Sequence, residues 1–331
     1  MSQRFDREVM AIDAEAVTAA IEQSLARESV RTLHRRGLVL GVSGGVDSAV
    51  CLALAVRALG ADRVVALLMP EWETDDGSTT RAQALCDSLG VTAVTEHIGP
   101  ILEAAGCYRR RDDAIRELVP EYTAEYRQKI TIAGDLLDTD RLPFFNLTVE
   151  APSGERQVVR MPAPVYQTVV AATNMKQRTR KMIEYFHAEA RNFAVLGTPN
   201  RLEYELGFFV RGGDGLADIK PVAHLYKTQV YALAAFLEIP DSIRSLPPST
   251  DTYSLPQTQE EFYFALPYAE MDLMLWAWEH DVEPAAAGGP LGLDAVQVER
   301  VYRDIEGKRK VSERSLAPAL LLEPVDVGER P

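Results

Sequence analysis

Apolar residues recur along this chain in two rhythms, short unbroken runs and stretches spaced three and four apart, and their alternation lays out the fold. Val17, Ile21, Leu25, Val30 and Leu33 fall at helical spacing and predict an amphipathic helix over about Asp13 to Arg36. The run Leu38-Val39-Leu40-Gly41-Val42 predicts a buried strand, Ser43-Gly44-Gly45-Val46-Asp47-Ser48 a glycine turn, and Ala49 to Ala55 an apolar helix that ends at Gly60. Val64 to Met69, closed by Pro70, reads as a second buried strand. Glu71 to Thr80 is polar and holds Gly77, so a loop is expected there, followed by a helix from Arg81 to Leu89 capped by Gly90, and a strand at Val91 to Val94. Strand, helix, strand, helix, strand predicts an α/β fold, a doubly wound and mostly parallel sheet flanked by helices, with ligands at the carboxyl ends of its strands.

The middle of the chain is less regular. Helical spacing near Asp112 to Arg127 leads into Leu142 to Val149 and, past Ser153-Gly154, into Gln157 to Arg160, two runs that suit a β-hairpin acting as a flap. A long helix is predicted from about Thr168 to Arg191, a strand over Asn192 to Gly197, and a helix from Lys227 to Glu238. From Ile239 onward the chain is rich in proline and aromatics, and Gly288-Gly289-Pro290 breaks it before a last helix near Leu293 to Arg303. One domain over 1–331 is expected, with a hairpin insertion at about 108–167 and an irregular tail at about 241–331. At 331 residues and 47% hydrophobic the chain can bury a large core. In the tail, Phe262, Tyr263 and Phe264 with Trp276 and Trp278 read as core rather than contact surface.

Charge and cysteine content narrow the partners. A net charge of −14 argues against a duplex-binding surface and against an anionic membrane, so neither nucleic acid nor membrane is expected. Cys51, Cys86 and Cys107 are too few and too scattered for a disulfide framework or a zinc site. With a charged start lacking an apolar h-region, and no run of membrane-spanning length, a cytoplasmic location is expected.

The glycine turn carries the strongest chemistry. Glycines let backbone N–H groups close around an oxyanion, and a helix starting near Asp47 aims its positive end at the same point. Ser43 and Ser48 add hydroxyl donors. Asp47 would repel a polyphosphate unless a divalent cation lay between them, which implies Mg²⁺. A lysine-bearing nucleotide loop is excluded, because Asp47 stands where that loop needs its lysine. Lys176, Arg178, Arg180 and Lys181 fall within one helical span and form either a phosphate-holding face or a solvated basic one. Gly197-Thr198-Pro199-Asn200-Arg201-Leu202-Glu203 follows a strand, where Thr198 can bond a nucleotide and Glu203 can complete a cation shell begun by Asp47; a plain helix cap is the other reading. Gly212, Gly213 and Gly215 around Asp214 imply a close-fitting loop, and Lys227 begins a helix where it could reach a phosphate. No nucleophile constellation stands out, and the histidines lack ligand spacing.

Together these stretches resemble the ammonia-dependent NAD synthetases of the ATP pyrophosphatase superfamily. The turn Ser43-Gly44-Gly45-Val46-Asp47-Ser48 marks the superfamily. The branch is marked by Lys176 to Arg180, Gly197-Thr198 with Glu203, Gly207 to Asp218, and Lys227-Thr228-Gln229, in that order. The resemblance implies an adenine nucleotide alpha hydrolase-like fold. It also implies an enzyme that adenylates the nicotinate carboxylate of deamido-NAD with ATP and Mg²⁺, releases pyrophosphate, and lets ammonia displace AMP. Carried over by motif, Gly41, Val42, Ser43, Gly44, Gly45, Val46, Asp47 and Ser48 would hold the ATP phosphates, with Thr198, Lys227 and Ser249 also on ATP. Asp47 and Glu203 would hold the metal, and Asp47, Glu203 and Lys227 would carry catalysis. Arg178, Arg211, Asp218 and Lys308 would contact deamido-NAD. A homodimer is implied, and a separate glutaminase could supply the ammonia.

Departures from the family pattern gather around the acceptor: Arg211 for lysine, Gly307 for histidine, Pro199 for aspartate, and extra residues near the hairpin. Two other readings therefore stay open, an amide-forming ligase acting on a different carboxylate and a non-catalytic nucleotide-binding homologue.

Overall fold

The unbroken apolar runs become strands. The computed structural model describes residues 5–133, 137, 144–248, 252–258, 262–264 and 266–325. Its strands are β1 (Leu38–Gly41), β2 (Val64–Leu68), β3 (Ala93–Thr95), β4 (Arg127–Ala133), β5 (Phe144–Glu150), β6 (Arg156–Arg160) and β7 (Ala194–Val195). A four-stranded parallel sheet has the order β3-β2-β1-β7, with Leu38 opposite both Val64 and Ala194. From β1 the chain turns to β2 on one side, while β7 arrives on the other. That reversal opens a crevice at the carboxyl ends of β1 and β7, where an open α/β sheet takes its ligand.

Helices α1 (Ala14–Arg27), α2 (Val46–Leu59), α3 (Asp76–Ser88), α4 (Gly99–Ala104), α5 (Cys107–Arg116), α6 (Ala163–Arg191), α7 (Arg201–Leu206), α8 (Lys227–Phe236) and α9 (Asp241–Arg244) fill the rest of this body. Leu38, Leu40, Ala66 and Leu68 bury one face of the sheet against Ile21 and Leu25 of α1, Val50 and Leu54 of α2, and Val230 and Leu233 of α8. Val39, Leu67 and Val195 bury the other with Ile98, Leu102 and Ala188. α1 stops at Arg27 and passes into a π turn over Glu28–Thr32, short of the expected Arg36.

Elsewhere the structure extends what periodicity predicts. α3 begins at Asp76, ahead of Arg81, because the Asp75 carboxylate accepts from the Ser78 N–H at 3.1 Å and caps it. α6 begins at Ala163, since Pro162 and Pro164 read as breakers although proline is tolerated in a first turn. β4 lies where a helical pattern was expected to end, and it makes the hairpin a three-stranded antiparallel sheet, with Ile130 opposite Leu147 and Leu147 opposite Val159. This sheet has its own core, Ile130, Leu147, Val149 and Met161 against Ile115 of α5 and Val165 and Val169 of α6.

The tail is helical rather than irregular in three places, α10 (Tyr268–Glu279), α11 (Pro284–Gly288) and α12 (Ala295–Leu316). Met271, Leu273, Met274, Leu275 and Ala277 are all buried, so α10 carries no polar stripe by which its period could be read. Trp276 and Trp278 pack against this second core, as expected of them.

Candidate functional site

α2 begins at the glycine turn because its N-cap, Gly45, offers no side chain to its first-turn N–H groups, which leaves them for a ligand. Gly44 sits at φ +81°, and a Cβ there would lie 2.5 Å from the Ser78 carbonyl oxygen. Glycine is thus required twice over, by backbone conformation and by the approach of α3. The Ser48 hydroxyl donates to the Gly45 carbonyl at 3.0 Å and accepts from the Ser43 N–H at 3.3 Å, which locks the turn from behind.

Charged groups converge on the mouth of this turn. Lys227, at the start of α8, forms an ion pair with Asp47 although its side chain is only 2% exposed. Burial would depress the Lys227 ammonium, but the Asp47 and Glu203 carboxylates hold its pKa above the usual lysine value. Asn200 joins the two acids. Its side-chain amide donates to Asp47 Oδ1 at 3.2 Å, its backbone N–H donates to Glu203 Oε2 at 3.1 Å, and its Oδ1 accepts from the Glu203 N–H at 3.2 Å. The helix-cap reading holds: Asn200 is the N-cap of α7 and Glu203 completes its capping box, and through Asn200 the Glu203 carboxylate stands beside Asp47. Beneath Lys227, the Asp272 carboxylate of α10 accepts from the Lys227 and Thr228 N–H groups at 3.1 and 2.7 Å, fixing where α8 begins.

A divalent cation fits this donor set. Asp47 and Glu203 present hard carboxylate oxygens, one bonded by the Asn200 side-chain amide and the other by its backbone N–H, and the charges of both reach the Cys51 thiol, which burial first and then these acids push well above its ordinary value. Such a pair beside a phosphate cradle suits Mg²⁺, which takes one or two carboxylates together with phosphate oxygens.

A cavity of about 910 Å³ runs from the turn. Ser43, Gly44, Gly45, Val46, Asp47, Ser48, Thr198, Glu203, Lys227 and Lys308 all line it, so most of the residues singled out in the sequence come together. Lys308 enters from α12, donating to the Tyr263 carbonyl and to Asp304 Oδ2, both at 2.7 Å. Gly41 and Val42 stand behind the turn, Gly41 as the last residue of β1 and Val42 donating its N–H to the Leu67 carbonyl at 2.9 Å. Arg178, Arg211 and Asp218 lie outside the cavity. Arg178 donates to the Arg211 carbonyl at 3.2 Å, and Asp218 accepts from the Val195 N–H at 2.8 Å. Ser249 falls outside the described residues.

The basic span of α6 is not one face. Lys176 is fully buried, 2.8 Å from Glu71 and 2.6 Å from Glu73, and Lys181 is buried 2.6 Å from Glu184. Charge spacing alone places four cations together, but the acids of the β2–α3 loop and of α6 itself draw two of them inward. Other residues of the site escaped the sequence reading. Asn200, which joins the two acids without lining the cavity, could have been recognised as the cap in Asn200-x-x-Glu203. Arg81, whose Nε is buried without a partner, carries no signal beyond its position near the start of α3.

The cavity and the order of its motifs find a match among known proteins. The model of the family described as NAD synthase matches residues 17–131 and 153–312. A relative from Rhizobium meliloti (strain 1021), an NH(3)-dependent NAD(+) synthetase, is 52% identical over 97% of this chain and 96% of its own length. Among solved structures, an NMN synthetase from Francisella tularensis superposes with a TM-score of 0.64 at 22% identity, covering 94% of this chain and 99% of that one. An NH3-dependent NAD synthetase from Campylobacter jejuni does so with a TM-score of 0.61 at 21% identity, covering 94% and 100%. At such identities the two structures are likenesses of fold, whereas the relative and the family model reach the sequence itself. A glycine turn, its paired acids and its buried lysine, set in a chain matched over most of its length, make this protein a member of the NAD synthase family.

Proposed function

We infer that this chain is an ammonia-dependent NAD synthetase, which amidates deamido-NAD at the expense of ATP. The observation that carries this reading is the Asp47, Asn200, Glu203 and Lys227 cluster at the mouth of the glycine turn, inside a cavity with room for a nucleotide and a second substrate. A nicotinate oxygen attacks the α-phosphorus of ATP, the α–β anhydride bond breaks, and pyrophosphate leaves. Ammonia then attacks the acyl carbon, the bond to AMP breaks, and one proton is released to solvent. A carboxylate is inert to ammonia until its oxygen becomes a leaving group, and adenylation makes it one.

In this scheme the turn N–H groups bind the leaving pyrophosphate oxygens, and Lys227 supplies fixed positive charge where negative charge grows. Asp47 and Glu203 would hold Mg²⁺, which supplies charge neutralisation on the polyphosphate when bound. No protein nucleophile is required. Cys51 is buried, with its thiol held protonated, and serves packing.

The whole chain acts as one unit, and its assembly is a homodimer. In support of the latter, Met182 and Phe186 lie four residues apart on α6 and are 55% and 62% exposed, an apolar pair suited to a second copy. Three unpaired cysteines suit a reducing compartment, the cytoplasm.

The test is incubation of the protein with ATP, Mg²⁺, ammonium and deamido-NAD, with AMP, pyrophosphate and NAD followed by mass. Equal amounts of AMP and NAD are expected. AMP formed only with a different acid would assign another acceptor, and no ATP consumption with any acid would leave a nucleotide-binding homologue.

A further inference from the structure

The glycine turn has a second wall. α3 follows β2, the strand beside β1, and its first turn packs onto the phosphate loop, with the Ser78 carbonyl oxygen 2.5 Å from where a Cβ on Gly44 would stand. Arg81, one turn further along α3, runs its side chain back toward the start of the helix, so that a Cβ on Gly77, the residue before Ser78, would lie 2.8 Å from its Nη1. Ser43, Gly44, Ser78 and Arg81 line the same cavity. The guanidinium therefore stands on the β2 side of the turn, whereas Glu203 and Lys227 reach it from segments that follow β7. Asp218, which the family resemblance assigns to the acceptor, is on the β7 side too, bonded to the Val195 N–H at 2.8 Å.

Charge separates Arg81 from the other cations here. Among the described residues three line the cavity: Lys227 is paired with Asp47, Lys308 bonds Asp304 at 2.7 Å, and Arg81 has Asp75 at 3.5 Å, beyond the range of a charge-assisted hydrogen bond. The Asp75 side chain is 71% exposed, so water screens that pair, and the Arg81 Nε is buried without a partner. A triphosphate keeps net negative charge after one divalent cation has bound, and the Asp47, Glu203 and Lys227 cluster is itself net negative. Positive charge must come from elsewhere, and a guanidinium presents the planar fork that matches phosphate oxygens. We propose that Arg81 binds the β- and γ-phosphate oxygens of ATP across the turn from Lys227, and holds the pyrophosphate as it leaves. The inference rests on the adenylating reading above and adds to it a residue that meets the charge collecting on the leaving group.

The experiment uses the full chain as wild type, Arg81→Met and Arg81→Lys. Binding of magnesium pyrophosphate and of AMP is measured by calorimetry, and steady-state rates are measured with ATP and deamido-NAD. In Arg81→Met the Kd for pyrophosphate rises by about 10- to 100-fold, the effect of losing a hydrogen bond to a charged group, while the Kd for AMP stays as in wild type. Arg81→Lys recovers part of the loss, because it keeps the charge and gives up the fork. kcat/KM for ATP falls in step with pyrophosphate affinity, and KM for deamido-NAD is unchanged. Met keeps the apolar stem of the side chain, and intact AMP binding separates a lost contact from a lost fold. Unchanged pyrophosphate binding in Arg81→Met, an equal fall for pyrophosphate and AMP, or a fall for AMP alone would overturn the proposal. Pyrophosphate binding reads the contact without turnover. A wild type that amidates no acid yet binds pyrophosphate more tightly than Arg81→Met would defeat the amidation reading and uphold the role of Arg81.

Discussion

At the scale of single residues, Asn200 stands out because it touches both acids of the site without being charged. Its side-chain amide orients Asp47 and its Oδ1 holds the Glu203 N–H, so removing the side chain frees the Asp47 carboxylate and uncaps the turn that carries Glu203, while the backbone bond to Glu203 Oε2 stays. Outer partners of metal ligands typically carry ~10- to 100-fold in metal affinity. Asn200→Ala is accordingly expected to raise the Mg²⁺ concentration for half-maximal ATP turnover by about that factor, with a matching loss in Mn²⁺ binding followed by electron paramagnetic resonance. Unchanged metal dependence would reduce Asn200 to a helix cap. Asp272 gives a second test at this scale. Burial pushes its carboxyl up to about 6, against the opposing pull of the Thr228 and Lys227 N–H groups. The unfolded chain ionises this group near the ordinary aspartate value, ~4. Between the two values the folded state holds a proton that the unfolded state has released, so the stability contributed by Asp272 is full below ~4 and is lost as pH rises through about 6. Wild type should therefore lose up to about 3 kcal/mol relative to Asp272→Asn between about pH 4 and about pH 7, read by urea denaturation. A constant difference between the two proteins across that range would refute the assignment.

At the scale of elements, α6 is tied to the β2–α3 loop through Lys176. Its ammonium is 0% exposed and bonds Glu71, Glu73 and the Thr252 carbonyl, while Tyr108 donates to the same Glu71 carboxylate at 2.6 Å. Removing one partner of such a buried pair leaves charge without compensation. Lys176→Met should cost about 3–5 kcal/mol in chemical denaturation, and adding Glu71→Gln should recover part of it, since Glu73 keeps the buried Arg111 as its partner while Glu71 has no second cation among the described residues. A loss under about 1 kcal/mol, the level of a surface pair, would contradict this role. The same element shows how far the sequence could be read. The apolar runs of β1 and β2 and the glycine turn were legible because each is local, a few adjacent residues whose chemistry is complete. The fate of Lys176 was not, because Glu71 and Glu73 come from a loop about a hundred positions away. α10 was hidden for a different reason, since a helix buried on every side loses the periodic contrast that reveals a helix. The site divides in the same way. Asp47 was legible from the turn and Glu203 from its motif, whereas Arg81 and Phe145 became visible only where folding brought them to the cavity.

At the scale of the whole molecule, the exposed Met182 and Phe186 place a boundary of the proposed dimer on α6, the helix whose inner stripe lines the cavity. Phe186→Glu should then shift the protein toward monomer in sedimentation equilibrium, with a rise of at least tenfold in the dimer dissociation constant, the effect of about 1.4 kcal/mol at an interface. A variant sedimenting as wild type would place the dimer contact elsewhere. The three-stranded sheet over Arg127–Arg160 has a bearing on descent as well as on chemistry. It packs on its own apolar centre, rests on α5 and the first turns of α6, and pairs with none of the parallel strands. A sheet that keeps its own core can differ among relatives without disturbing the strands that present the glycine turn, and the family match, interrupted over 132–152 and resumed beyond it, fits that independence.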